Sequence, residues 1–314
     1  MINDETDDKE KLIEEKRIKS EMYRYLTQEL TEELLSLDDT QLGGEVMEVS
    51  TLFTDIQNYT AWTENLETEE VVALLNEYFD LMVEVIFKNK GTLDKYIGAS
   101  MIAVFGSPFP LKNHAWCAVQ TAIEMRHRLV ESNAPRLAQN QIPICMNIGI
   151  NSARVFSGNI VSSQRMEYTA TGSGVDLASY LTFVTRLYGC DLIISDTTYR
   201  PCSEKIWARE LGSVRFKGIK KPVSIYEVVG LHSEPISSRS QQLIEVHQKG
   251  REYYLNRQFR RAINEFATIL DELNPKDKAA ALHLERCCQY LSQEPPADDW
   301  DGAWTITQQE ARLV

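Results

Sequence analysis

The sequence predicts an α+β fold: a ferredoxin-like α/β sandwich with element order βααββαβ, an N-terminal helix and a C-terminal helical hairpin. Two observations carry this. Between residues 46 and 230 the apolar residues switch between alternation and a period of about 3.6, as strands and helices require. On either side, residues 1–45 and 241–292 keep to the helical period alone. A chain of 314 residues is also longer than one small module, which suggests a main domain with appendages.

In chain order, residues 1–45 are highly charged. Leu12, Ile13, Ile18, Met22, Tyr25, Leu26, Leu30, Leu34 and Leu35 form one narrow helical stripe. Such a helix is not stable alone, so it either packs on a partner chain or the next domain, with dimerisation as one use, or frays at the surface. Gly43 and Gly44 break the pattern. Residues 46–53 are β-prone and lead to Asp55. Residues 68–87 read as a helix capped by Thr68, with Glu69 and Glu70 in its first turn. Residues 92–97 and 101–105 are short apolar runs around Gly98-Ala99, a hairpin signature. Residues 113–133 form the next helix, with His114 as its cap. Ile144, Met146, Ile148 and Ile150 alternate as in a half-buried strand, and residues 175–187 are helical. A short strand at 192–195 and a pair at 214–216 and 223–228 close a mostly antiparallel sheet with helices on it.

Residues 231–240 read as a polar linker. In residues 241–292, Gly250, Tyr253, Ala262, Phe266 and Pro275 have the spacing of one tetratricopeptide-like hairpin. A single such unit cannot bury its own face, so docking on the main domain or on a partner is expected. Residues 293–314 form a tail with Trp300 and Trp304, stitched down by aromatic burial or offered to a partner.

Composition narrows the function. The apolar fraction of 43% and charged fraction of 25% are those of an ordinary globular protein. A net charge of −13 argues against nucleic acid and anionic membranes, though a local basic pocket can still take a nucleotide. The six cysteines form no CxxC pair and no zinc-ligand spacing, which fits a reduced, cytoplasmic setting. The acidic N-terminus does not read as a signal peptide, and no apolar run approaches the roughly 20 residues of a membrane span.

Four segments carry chemistry. Asp55 ends a buried strand at a turn, a place from which a carboxylate can bind a cation. Lys95 sits inside an apolar hairpin (residues 91–100), which is unfavourable unless an acceptor meets it. Residues 167–179 run Glu-Tyr-Thr-Ala-Thr-Gly-Ser-Gly-Val-Asp-Leu-Ala-Ser, and Phe216-Lys217-Gly218 precede Pro222. In this order and spacing the segments resemble the class III adenylate/guanylate cyclase catalytic domain over residues 46–230. The N-terminal helix and the Trp-Asp-Gly-Ala-Trp peptide at 300–304 are similar to those flanking bacterial adenylate cyclases.

The resemblance implies two-metal phosphoryl transfer at a dimer interface, turning a nucleoside triphosphate into cyclic nucleotide and pyrophosphate. Asp55 then matches the first metal carboxylate, with the Ile56 carbonyl beside it. Lys95 matches the base-recognising Lys, Thr169 its partner in the ATP-preferring bacterial manner, and Lys217 the phosphate-binding Lys. Three positions depart from the family. Ala99 stands where the second metal Asp is expected, Asp176 at the ribose-orienting Asn, and Tyr180 at the transition-state Arg. Ala99 offers no oxygen, so Mg²⁺ or Mn²⁺ would be held weakly. Tyr180 lacks the guanidinium fork, and losing one preorganised donor costs about 10²–10³ in rate. Asp176 is acceptor-only when ionised and sets negative charge near a triphosphate.

Three readings follow. The first is a pseudo-cyclase, a dimeric module that binds ATP or a related nucleotide. The second is an active or weakly active adenylate cyclase, with Asp94 a candidate substitute ligand if it is not simply a solvated hairpin charge. The third is one subunit of a heterodimer with an intact cyclase, although the half lacking metal ligands would then have to supply the Asn and Arg that this chain lacks.

Overall fold

The computed structural model describes residues 44–64, 66–161, 166–216, 219, 221–293, 295, 298 and 300–306. The expected N-terminal helix therefore lies outside the described residues, apart from Gly44 and Glu45. The main domain runs β1 (Gly44–Ile56), α1 (Tyr59–Thr63), α2 (Thr68–Lys88), β2 (Thr92–Ile97), β3 (Ser100–Phe105), α3 (His114–Ala138), β4 (Met146–Val161), β5 (Met166–Thr171), α4 (Ser173–Tyr188), β6 (Leu192–Ser195), α5 (Asp196–Tyr199), β7 (Ile206–Arg215) and β8 (Val223–Leu231). The order βααββαβ is as expected. The strands join in one sheet in the order β2-β3-β1-β4-β6-β8-β7-β9, with β5 paired to β4. β4 runs parallel to β6, and α4 makes the crossover between them.

Alternation in β1 and β4 sorts side chains to two faces. Leu52, Ile56, Ile148 and Ile150 turn to one core with Tyr78, Met82 and Ile86 of α2 and Ala118 and Ile123 of α3. The opposite face is met by α4. Gly149 makes that approach possible, because a Cβ there would stand 2.3 Å from the Ala178 carbonyl oxygen and 2.4 Å from the Thr182 nitrogen. Thr182 Oγ1 donates to the Phe53 carbonyl at 3.1 Å, fixing α4 along β1.

Several local details differ from the sequence expectation. Thr68 is the first residue of α2 rather than its cap; Glu67 holds the cap position, with its N–H donating to Glu70 Oε2 at 3.1 Å. His114 does not cap α3. Its ring Nδ1 meets Ser50 Oγ at 2.8 Å, inside a chain of hydroxyls that includes Ser152.

The C-terminal segment forms α6 (Ser238–Leu255), α7 (Phe259–Thr268), a π-helical turn (Ile269–Leu273), α8 (Lys278–Ser292) and β9 (Ala303–Thr305). α6 begins inside the stretch read as linker, because Ser237 accepts from the Ser240 N–H as an N-cap, and β8 extends to Leu231. Tyr254, Phe259, Ala262, Phe266, Ile269, Leu273, Ala280 and Cys287 form the core of this unit. Its docking on the main domain is polar as well as apolar. Arg209 of β7, 5% exposed, bonds Glu227 at 2.7 Å and Asp277 at 2.7 Å. Arg286 donates to the Tyr188 hydroxyl of α4 at 3.0 Å. The tail returns as β9, parallel to β7. Trp300 packs on Tyr254, Phe259 and Tyr290, and its Nε1 donates to the Leu255 carbonyl at 2.9 Å.

Candidate active site

The end of β1 positions Asp55. Its neighbour Gln57 anchors the turn: the Gln57 N–H donates to the Cys145 carbonyl at 2.8 Å, and Nε2 donates to Asn147 Oδ1 at 2.7 Å. Both carboxylate oxygens of Asp55 are engaged. Ser100 Oγ donates to Oδ1 at 3.0 Å, and Arg186 from the last turn of α4 forms an ion pair with Oδ2. Neither Ser100 nor Arg186 was singled out from the sequence. The signal for Arg186 is its spacing from Thr182. One helical turn rises about 5.4 Å, close to two residues of strand at about 3.3 Å each. Thr182 and Arg186 therefore meet Phe53 and Asp55 in step.

Ala99 follows Gly98, whose left-handed conformation (φ 61°) closes the β2–β3 hairpin. Its methyl is 4% exposed and belongs to the apolar core shared with Tyr78 and Met101. Tyr78 below the site donates to Thr54 Oγ1 at 3.4 Å. Burial foremost, with a smaller push from Asp55, holds its phenol well above the ordinary range, so it stays neutral. Among the described residues no group of three or more His, Cys, Asp or Glu could hold a metal ion. A pair of divalent cations thus does not fit this donor set, which offers one carboxylate, already neutralised, beside a methyl group.

Lys95 and Thr169 are brought together by Asp94. β2 bulges between Leu93 and Lys95 in its pairing with β3, which re-aims the side chain of the extra residue. Asp94 Oδ2 accepts from Thr169 Oγ1 at 3.0 Å and Oδ1 accepts from the Ala170 N–H at 3.2 Å. Lys95 Nζ lies 3.7 Å from Asp94 Oδ2. The Asp94 side chain is only 7% exposed. It is therefore not a solvated hairpin charge; it bonds Thr169 and lies beside Lys95, the two residues that the resemblance assigns to the base.

Asp176 lies exposed in the first turn of α4. Tyr180 follows one turn later, 40% exposed, with its ring stacked on Phe216 at 5.5 Å and 12°. The ring is thus not buried in the protomer; it packs on Phe216, the residue that precedes Lys217. Lys217 itself lies outside the described residues, as do Gly218 and Lys220. Ile56, the expected backbone ligand, has its side chain fully buried beneath the sheet. Among the described residues no helix is long and apolar enough to cross a membrane.

Comparison with known proteins identifies the family of the main domain. The chain is 32% identical over 210 residues to adenylate cyclase 1 of Rhizobium meliloti (strain 1021), covering 66% of this chain and 31% of that protein. It is 33% identical over 200 residues to an adenylate cyclase of Anabaena cylindrica, covering 61% of this chain and 39% of that one. The chain thus spans well under half the length of these relatives. Among solved structures, the adenylyl cyclase CyaB from P. aeruginosa matches with TM-score 0.56 and 32% identity, over 60% of this chain and 96% of that chain. The guanylyl cyclase Cya2 matches with TM-score 0.54 and 33% identity, over 62% and 98%. Residues 44–230 match the profile of the adenylate and guanylate cyclase catalytic domain, and the chain belongs to that class III nucleotidyl cyclase family.

Proposed function

We propose that this cyclase domain is a pseudo-cyclase, a dimeric module of cyclic-nucleotide signalling that binds ATP or a related nucleotide and turns it over poorly. One observation supports the reading: Asp55 is already paired with Arg186, and Ala99, at the position that the resemblance assigns to the second metal carboxylate, is a buried methyl. Tyr180 and Asp176 add to it, because neither supplies the donors that a developing charge on phosphate requires. Retention of nucleotide binding rests on Lys95 and Thr169, which Asp94 holds side by side. Lys217 would add a phosphate contact.

Homodimerisation is supported by the exposed Val46, Phe156, Tyr168 and Tyr180, large apolar side chains on β1, β4, β5 and α4 that one protomer leaves uncovered. The tetratricopeptide-like unit is proposed to brace the domain, since Gly250 lets Phe266 approach the α6 backbone and the unit rests on β7 and α4.

The test is cyclic AMP production by the purified chain, with saturating ATP and either Mg²⁺ or Mn²⁺. The expected rate lies at least about 10²-fold below the roughly 10 s⁻¹ of a typical enzyme. Turnover near that typical value would make the chain an adenylate cyclase, a phosphorus–oxygen lyase with substitute ligands. Activity appearing only on mixing with an intact cyclase would make it a heterodimer subunit.

A further inference from the structure

We propose that Arg186 is a resident cation: its guanidinium neutralises Asp55 in place of a divalent metal ion, and the site receives its nucleotide metal-free. The second half rests on the nucleotide-binding reading above; the first half does not.

The placement of Arg186 is built in from several directions. It projects from the last turn of α4, one turn beyond the Thr182 contact to Phe53 on the strand that carries Asp55. Gly149 seats α4 against β4. The far end of α4 is held from outside by the C-terminal unit, where Arg286 bonds the Tyr188 hydroxyl and the Lys278 side chain lies over Gly189. Arg186 is therefore delivered to Asp55 by a helix clamped on both sides. The ion pair is partly shielded, with the Arg186 and Asp55 side chains 33% and 25% exposed.

Charge then decides between metal and guanidinium. One carboxylate and one guanidinium sum to zero. A divalent ion entering at Asp55 would have to expel Arg186, or else lie beside a like charge. The second oxygen that metal binding would recruit is also taken, by the Ser100 hydroxyl. A triphosphate reaching the end of β1 meets a neutral pair instead of a bare carboxylate, so the repulsion that a metal relieves elsewhere is already relieved. Ala99 and Arg186 then belong to one change: the loss of one metal ligand matches the capture of the other by an internal cation.

The experiment uses the full chain in two arms. In the first, free Mn²⁺ is followed by electron paramagnetic resonance during titration, without nucleotide. The natural protein and its Asp55→Asn variant are expected to show the same weak Mn²⁺ uptake. Arg186→Met should tighten uptake by about tenfold, Arg186→Lys should not, and Asp55→Asn should erase the gain. Mn²⁺ binding by the natural protein that Asp55→Asn abolishes overturns the proposal. So does a folded Arg186→Met variant without any gain. If Arg186→Met does not fold, the comparison of natural protein with Asp55→Asn still decides the first half.

In the second arm, a fluorescent ATP analogue is titrated in EDTA and in excess Mg²⁺. The dissociation constants are expected to agree within about threefold. A tenfold requirement for Mg²⁺, about 1.4 kcal/mol, overturns metal-free binding. Absence of binding in both conditions overturns the second half together with the nucleotide-binding reading, and leaves the Asp55–Arg186 assignment to stand or fall on the Mn²⁺ arm.

Discussion

Acidification from pH 7 to pH 5.5 should weaken this protein through two histidines at the seam between the C-terminal helices and the sheet. His247 and His283 are buried, with ring centroids 5.3 Å apart. His283 Nε2 lies 2.7 Å from the Leu211 carbonyl oxygen, which can only accept, so that nitrogen carries the proton of a neutral ring. The Phe266 ring stacks on His283 at 5.0 Å and 14° and meets His247 edge-on at 5.4 Å. The charged neighbours are cations. Burial first, then Arg209, His283 and Arg251, hold His247 well below its ordinary pKa. Burial, Arg251, Arg286 and Arg209 do the same for His283, against a small opposing effect of its bond to Leu211. The carboxylates present are already spent, Glu227 and Asp277 on Arg209 and Glu210 on Arg251.

The sign follows from proton counting. The unfolded chain takes up protons near an ordinary histidine value of about 6.5, and the native chain does not. The folded state is therefore fully favoured above that value and loses ground as pH falls below it. The uptake by the unfolded chain sets the ceiling: each ring loses at most about 1.25 kcal/mol between pH 7 and 5.5, or about 2.5 kcal/mol for the pair. Urea unfolding followed by tryptophan fluorescence at both pH values measures this. His247→Leu should cut the loss to about half. An equal loss in the natural protein and the variant, or no loss in either, refutes the reasoning.

Two further outcomes follow from the packing. Asp277→Ala removes a buried partner of Arg209 together with the N-cap of α8, where Asp277 Oδ1 accepts from the Ala280 N–H at 2.7 Å. Denaturant unfolding should show a loss of about 3–5 kcal/mol, with Asp277→Asn milder because it keeps the cap. Gly149→Ala drives a methyl to within 2.3 Å of the Ala178 carbonyl oxygen and should cost about 1–3 kcal/mol by the same assay.

Some strands of the main domain are legible as short apolar runs bounded by glycine or a turn, whereas β5 is not, and β7 (Ile206–Arg215) shares only its last two residues with the expected 214–216. Residues 92–97 and 192–195 are legible in this way, reappearing as β2 and β6 with the same bounds. The tail strand β9 was not legible. Ala303–Thr305 has three residues and forms only because β7 presents an open edge to it. The site divides in the same way. Asp55, Lys95 and Thr169 stand out as polar residues inside apolar strands. Arg186 does not, because a cation in a helix's last turn is ordinary on a surface; its meaning depends on where Gly149 lets the helix lie. The burial of Asp94 is not legible for a related reason, since the sequence does not show the bulge in β2 or the bond to Thr169.

The central claim is that the fold is intact and that three substituted positions silence it. The most direct measurement is cyclic AMP formation by a triple variant, Ala99→Asp, Asp176→Asn and Tyr180→Arg, beside the natural chain at equal concentration with ATP and Mn²⁺. The account predicts at least about 10²-fold less product from the natural chain than from the triple variant, with a further rise when Arg186→Met frees Asp55. A natural chain as active as the triple variant would contradict it.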